Sequence, residues 1–283
     1  MNHKPSGPAG REPELPEELA ERLDQAWDAL EDGEVEDALA EAEALKEETQ
    51  GHPETLLLLG AALLEVGEPE DALKELERVQ GRVSDEVLWA FYAAGAYFEL
   101  TRFGEAEDLL REMIAAEPEE PSGHYALGEV LEHLDRRDDA QDCLRRAHEL
   151  DPENYALPMR LTLAAFQEVI TEASASLPDE LRSHLENIPV VVQDLPGEEA
   201  LDPSLGTTVS PGVLGLFVGR SMREESVFET PDTPRTIYVY QRNLERTCRS
   251  HDELVDEIAT TFYHELGHYL GLDEDDLEER DLN

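Results

Sequence analysis

The sequence predicts an all-α helical-repeat solenoid followed by a small α+β domain. Three observations carry that prediction. Alanines recur every 34 residues through the first half, and the period stops at LDPENYALP. After it, three short apolar stretches of strand character precede a capped amphipathic helix.

The repeat comes first. Ala38, Ala72, Ala106 and Ala140 share one slot, Gly33 and Gly67 another, and Leu76, Leu110 and Leu144 a third. Leu63, Tyr97 and Leu131 align in the same way, Pro118 aligns with Pro152, and Leu59-Gly60 aligns with Leu127-Gly128 two periods on. Such a period signals helix–turn–helix units. The small residue lets two helices touch, and the proline stops the second helix. These positions resemble the tetratricopeptide repeat over about 19–152, as four units. In the first unit Arg22, Gln25 and Ala26 stand where a large apolar residue and Leu-Gly are expected, which suits a capping repeat. The solenoid is therefore placed at 19–157, with a last solvating helix starting at Asn154, and 1–18 reads as a disordered lead-in. Solenoids of this kind present a concave surface to a peptide or protein partner. A spacer or a dimerisation face is the plainer alternative. This half has too few basic residues for a grip on a partner's C-terminal carboxylate.

Charge narrows the partners. Against 22 basic residues stand 68 acidic ones, a net charge of −46. From Pro158 onward 26 acids and 9 bases leave −17, so both halves are acidic. Such a field repels nucleic acid and anionic membrane, so neither is an expected partner. A salt-adapted composition accounts for the acidity equally well. Cys143 and Cys248 form no CxxC and no disulfide framework, and a reducing cytoplasm is expected. No apolar run reaches the roughly 18 residues of a membrane span.

The second domain, 158–283, reads as a helix over 159–178, with Leu163, Phe166 and Ile170 on one side, then three short strands. IPVVVQDLP (188–196) is the first, and VLGLFVG (213–219) the second, with glycines where backbones approach closely. TIYVY (236–240) is the third. Ser250 and Glu253 form a capping box for a helix running to Leu270, and Gly271 occupies the C-cap position.

That last helix carries HELGHYLGLDEDD (264–276). Histidines four apart share one helix face, a spacing that suits zinc, with Glu265 beside them to take a proton from bound water. Leu254, Val255, Ile258, Ala259, Phe262 and Leu266 form an apolar stripe, and His264 and His268 point about 140° from its centre, with Glu257, Thr260 and Thr261. The wheel thus sets the histidines against a core role, leaving a metal site or a solvated pair. Gly271 turns the chain, and register favours Glu274 as third ligand, with Asp273 as the alternative. Asp275 and Asp276 are outer partners or surface charge. A His₂-plus-carboxylate set leaves a fourth position for water.

HELGHYLGLDE, with LGLFVGRS and TIYVYQRNLER before it, resembles the minimal zincin-like metallopeptidases of bacteria. The resemblance implies Zn²⁺ held by His264, His268 and Glu274, and Glu265 as catalytic glutamate. The family usually has Asp where Glu274 stands. The function implied is zinc-dependent peptide hydrolysis, with the repeats binding a protein partner or substrate. The alternative is a non-catalytic interaction module in which zinc is structural. TIYVY is a candidate exposed edge for pairing with substrate, or else an internal strand. Tyr263 and Tyr269 are candidates for oxyanion stabilisation or for packing.

Overall fold

A computed structural model describes residues 14–201, 209–219 and 235–271. These divide between Tyr155 and Ala156 into two compact units.

The first unit is eight helices in four pairs: α1 (Glu17–Glu31) with α2 (Val35–Glu48), α3 (Pro53–Glu65) with α4 (Pro69–Glu77), α5 (Glu86–Glu99) with α6 (Phe103–Ala116), and α7 (Pro121–His133) with α8 (Arg137–Leu150). The four period alanines lie on the second helix of each pair and are 0% exposed. At Gly60 an added Cβ would stand 2.5 Å from Leu76 Cγ, and at Gly128 2.7 Å from Leu144 Cγ, so the period marks true helix contacts. Prolines open α3, α4 and α7, where a missing N–H costs nothing.

The turn inside each pair is left-handed. Gly33 and Gly67 hold φ of +82° and +78° there, and the same slot is filled by Thr101 and Asp135, both at φ 56°. The backbone repeats although the glycine does not.

The helix expected from Asn154 is absent. Asp151 accepts the amides of Glu153 and Asn154 at 3.1 Å each, closing a tight turn, and Pro152 and Pro158 disfavour helix on either side. Tyr155 instead packs its ring on Tyr125, and its carbonyl bonds the His148 ring. Of the expected lead-in, residues 1–13 lie outside the described residues, and Glu17 and Glu18 already belong to α1.

The second unit contains α9 (Leu163–Ser176), α10 (Asp179–Leu185), β1 (Val190–Gln193), the short α11 (Glu198–Leu201), β2 (Gly215–Val218), β3 (Thr236–Tyr240), α12 (Gln241–Thr247) and α13 (His251–Leu270). The sheet order is β1-β3-β2, with β1 parallel and β2 antiparallel to β3. TIYVY is thus the central strand, and the edge reading does not hold; its Ile237, Val239 and Tyr240 are buried. The core joins Phe166, Val169 and Ala173 of α9 to Ile237 and Val239 and to Leu254, Ile258, Phe262 and Leu266 of α13. Leu163, expected inside, is 54% exposed, because α9 starts only there, capped by Thr162. No helix among the described residues is long and apolar enough to cross a membrane.

Candidate metal centre

The helix that carries the histidines is held at both ends. The Ser250 side chain accepts the Glu253 amide at 3.2 Å, and Glu253 reaches back to the Arg249 amide at 2.6 Å. Gly271 ends the helix at φ +84°, a left-handed conformation that favours glycine.

Between these caps one apolar stripe packs on α9 and the sheet, leaving the histidines on another side. His264 and His268 are each half-buried, their rings meet edge to face, and their Nε2 atoms lie 2.9 Å apart. Two imidazoles bound to one tetrahedral zinc at about 2.05 Å would stand about 3.3 Å apart. A shift of a few tenths of an ångström therefore admits an ion, and the pair fits one. Glu274 and Asp273, the expected third ligand and its alternative, lie outside the described residues, as do Asp275 and Asp276. Among the described residues no three His, Cys, Asp or Glu side chains gather as a ligand set.

Glu265 sits apart from the histidine face. It is 5% exposed, and its Oε2 accepts the backbone N–H of Phe217 on β2. Why that amide is available follows from the ladder. Tyr240 donates its N–H to the Leu214 carbonyl at 2.9 Å, which sets 214, 216 and 218 toward β3 and turns 215 and 217 outward. An outward amide on an edge strand meets the carboxylate of the helix beneath.

That close approach depends on Gly215. A Cβ there would stand closer than 3.0 Å to Thr261 Cγ2, 3.2 Å from the Tyr238 carbonyl oxygen and 3.4 Å from Glu265 Cγ. Thr261, placed by the wheel on the polar side, is buried under this glycine, with its hydroxyl donating to the Glu257 carbonyl at 2.9 Å.

Of the two tyrosines, Tyr269 packs between His184 and Phe217, ring centroids 5.7 and 5.8 Å away, with the Arg235 guanidinium 5.2 Å over its face. Tyr263 lies partly buried against the core.

Directly after β3, α12 supplies supports that the sequence pattern did not reveal. Asn243 donates to the carbonyls of Pro211 and Val213 at 2.9 and 2.6 Å, holding the entry to β2, and it accepts from Arg246 at 2.6 Å. Glu245, 0% exposed, accepts the Leu161 amide at 2.8 Å and the Gln241 side chain at 2.7 Å, and pairs with Arg242 and Arg160. Arg160 itself is left-handed, at φ 56°.

Comparison with known proteins agrees with this division. Residues 185–283 match the zincin-like metallopeptidase family, and 23–86, 57–121 and 121–154 match tetratricopeptide-repeat families. No curated protein is significantly similar to the chain. Among solved structures, MamA from Desulfovibrio magneticus is 19% identical, covers 50% of this chain and 79% of its own, and superposes with a TM-score of 0.42. A thermophilic tetratricopeptide-repeat protein from Thermus thermophilus is 22% identical, covering 47% and 75%, with a TM-score of 0.44. The chain is a fusion of tetratricopeptide repeats with a zincin-like metallopeptidase domain.

Proposed function

We propose that the second unit hydrolyses peptide bonds with a zinc ion, and that the repeats bind the protein that it acts on or works with. His264 and His268 would hold the ion, with Glu274 as third ligand. The observation that carries this reading is the convergence of the two Nε2 atoms, 2.9 Å apart, on the helix that also bears the anchored Glu265. Zinc, when bound, supplies Lewis-acid polarisation of a carbonyl and lowers the pKa of a water.

The chain's own residues do the rest. Glu265 takes the proton of the attacking water and returns it to the leaving amine nitrogen. The Phe217 amide holds its carboxylate in one orientation, so less of the barrier goes to arranging the base. Among the described residues β2 pairs on one side only; its outward Phe217 amide is taken by Glu265 of α13, and its remaining outward groups at 215 and 217 lie along the open edge. An extended substrate that adds a strand there would run alongside the base. That role passes from TIYVY to β2.

The test measures bound zinc and cleavage of a broad peptide library by the native protein and by Glu265→Gln, which keeps an acceptor for the Phe217 amide. Retained zinc with cleavage lost in the variant is the expected result. Zinc bound with no cleavage by either protein refutes catalysis and leaves a structural metal. No zinc after loading refutes both.

A further inference from the structure

In the repeat unit a cavity of about 180 Å³ opens between α4, α5 and α6. Its floor is apolar and aromatic: Leu73, Trp89, Ala93 and Tyr97. The Trp89 indole is fixed there by donating to the Leu76 carbonyl at 2.9 Å, and Ala93 is small enough to leave the space open. The rim is anionic, with Glu77, Glu105 and Asp108. Glu105 is already paired with Arg102 at 2.9 Å. Glu77 and Asp108 carry no ion pair among the described residues, and Glu77 meets only the Tyr97 hydroxyl, at 3.5 Å.

We propose that this cavity takes an arginine side chain of a protein partner, its stem on the apolar floor and its guanidinium between Glu77 and Asp108. The volume is below the roughly 300 Å³ where small-molecule sites begin, and it suits one side chain. A planar guanidinium both stacks on aromatic faces and bonds carboxylates through paired donors, which a cavity of aromatic rings and carboxylates matches. The chain uses the same chemistry internally, since the Arg102 guanidinium lies 4.5 Å over the Tyr97 ring while its Nε donates to Glu105 at 3.0 Å. The charge of −46 brings basic partners toward the whole surface, so the cavity must be separated from that general pull. This assignment rests on the repeats binding protein and is independent of hydrolysis by the second unit.

The two tryptophans make the separation measurable, because Trp89 lines the cavity and Trp27, on α1, does not. A blocked peptide with one arginine among Gly, Ser and Leu is titrated into the full ¹⁵N-labelled chain, beside a counterpart with glutamine in its place. The Trp89 indole resonance is expected to shift with the arginine peptide and not with the glutamine one, while Trp27 stays put. The double variant Glu77→Gln/Asp108→Asn is expected to weaken binding at least fivefold. The variant Glu18→Gln/Glu21→Gln, with the same change of charge on exposed α1, is expected to leave it within twofold. Equal weakening by both variants, or equal shifts at both tryptophans, would overturn the assignment in favour of diffuse attraction. If the peptides move other repeat resonances but not Trp89, the cavity assignment alone fails. If neither peptide moves any repeat resonance, the cavity assignment fails and protein binding by the repeats loses its support.

Discussion

Replacing Gly215 by alanine tests how β2 and α13 are held together around Glu265. The new Cβ would sit closer than 3.0 Å to Thr261 Cγ2, where carbon atoms prefer about 3.5–4.0 Å. Strand and helix must therefore separate by roughly half an ångström or more. Overpacking of this kind costs about 1–3 kcal/mol, and weakening the Phe217–Glu265 bond adds about 1 kcal/mol. Gly215→Ala should thus destabilise the second unit by about 2–4 kcal/mol, lowering its thermal midpoint by about 6–15 °C. The contact at fault is a methyl group, so Thr261→Ser removes it while keeping the hydroxyl on the Glu257 carbonyl. The double variant should recover at least half of the loss, a coupling characteristic of touching residues. Far-UV circular dichroism follows both units. Tryptophan fluorescence follows the repeats alone, because Trp27 and Trp89 are the chain's two tryptophans and should report no change. A double variant as unstable as Gly215→Ala, or an unaltered Gly215→Ala, refutes the reasoning.

Glu245→Ala removes a fully buried carboxylate that four groups address, including the left-handed Arg160. Both arginines are about one-fifth exposed and can rehydrate, so the loss belongs at the low end for buried pairs, about 3 kcal/mol, read from the second transition in guanidinium. Glu245→Gln should cost roughly half as much, because it keeps an acceptor for the Leu161 amide. Thr101→Gly relieves a β-branched residue of left-handed strain worth about 1–2 kcal/mol, partly offset by glycine's looser unfolded chain, for a net gain of about 0.5–1 kcal/mol in the repeats; unchanged fluorescence-detected unfolding would contradict this. Acid stability depends on Glu107, where burial opposes ionisation but bonds from Arg111 and Arg136 prevail and hold its pKa below the usual 4.5. A lowered folded pKa stabilises above the unfolded value and is lost as pH falls through the folded one. Glu107→Gln should therefore flatten the loss of repeat stability below about pH 4.5, measured by unfolding at stepped pH.

Elements whose signal is internal were legible. TIYVY alternates and is a strand over all five residues, and Ser250 and Gly271 bound α13 because caps are chemical groups within a few residues of the helix. The glycine in VLGLFVG likewise announced a close approach, and the structure identifies Thr261 and Glu265 as what approaches. α12 was not legible. Gln241, Asn243, Glu245 and Arg246 are polar on every side, and what buries them is partners 30 to 84 residues away, at Pro211, Val213 and Leu161. Position within the sheet was hidden for the same reason, since strand order is a long-range property. The histidine face was legible from periodicity. The amide that holds Glu265 was not, because it is backbone and its direction depends on the register of β2 on β3.

The four turns of the repeats have one shape and two kinds of occupant. In a linear array each joint is supported only by its neighbours, so the energy stored at a joint stays local. Gly33 and Gly67 store none, while Thr101 and Asp135 do; among the described residues of the first four helices only Gln50, at φ 57° between α2 and α3, shares their strain, one such residue against two. The array therefore has a hard end and a soft end, with its weak joints in the third and fourth pairs. Amides of α5 to α8 should open to solvent before those of α1 to α4, giving a one-way order of fraying along a chain whose repeats look alike.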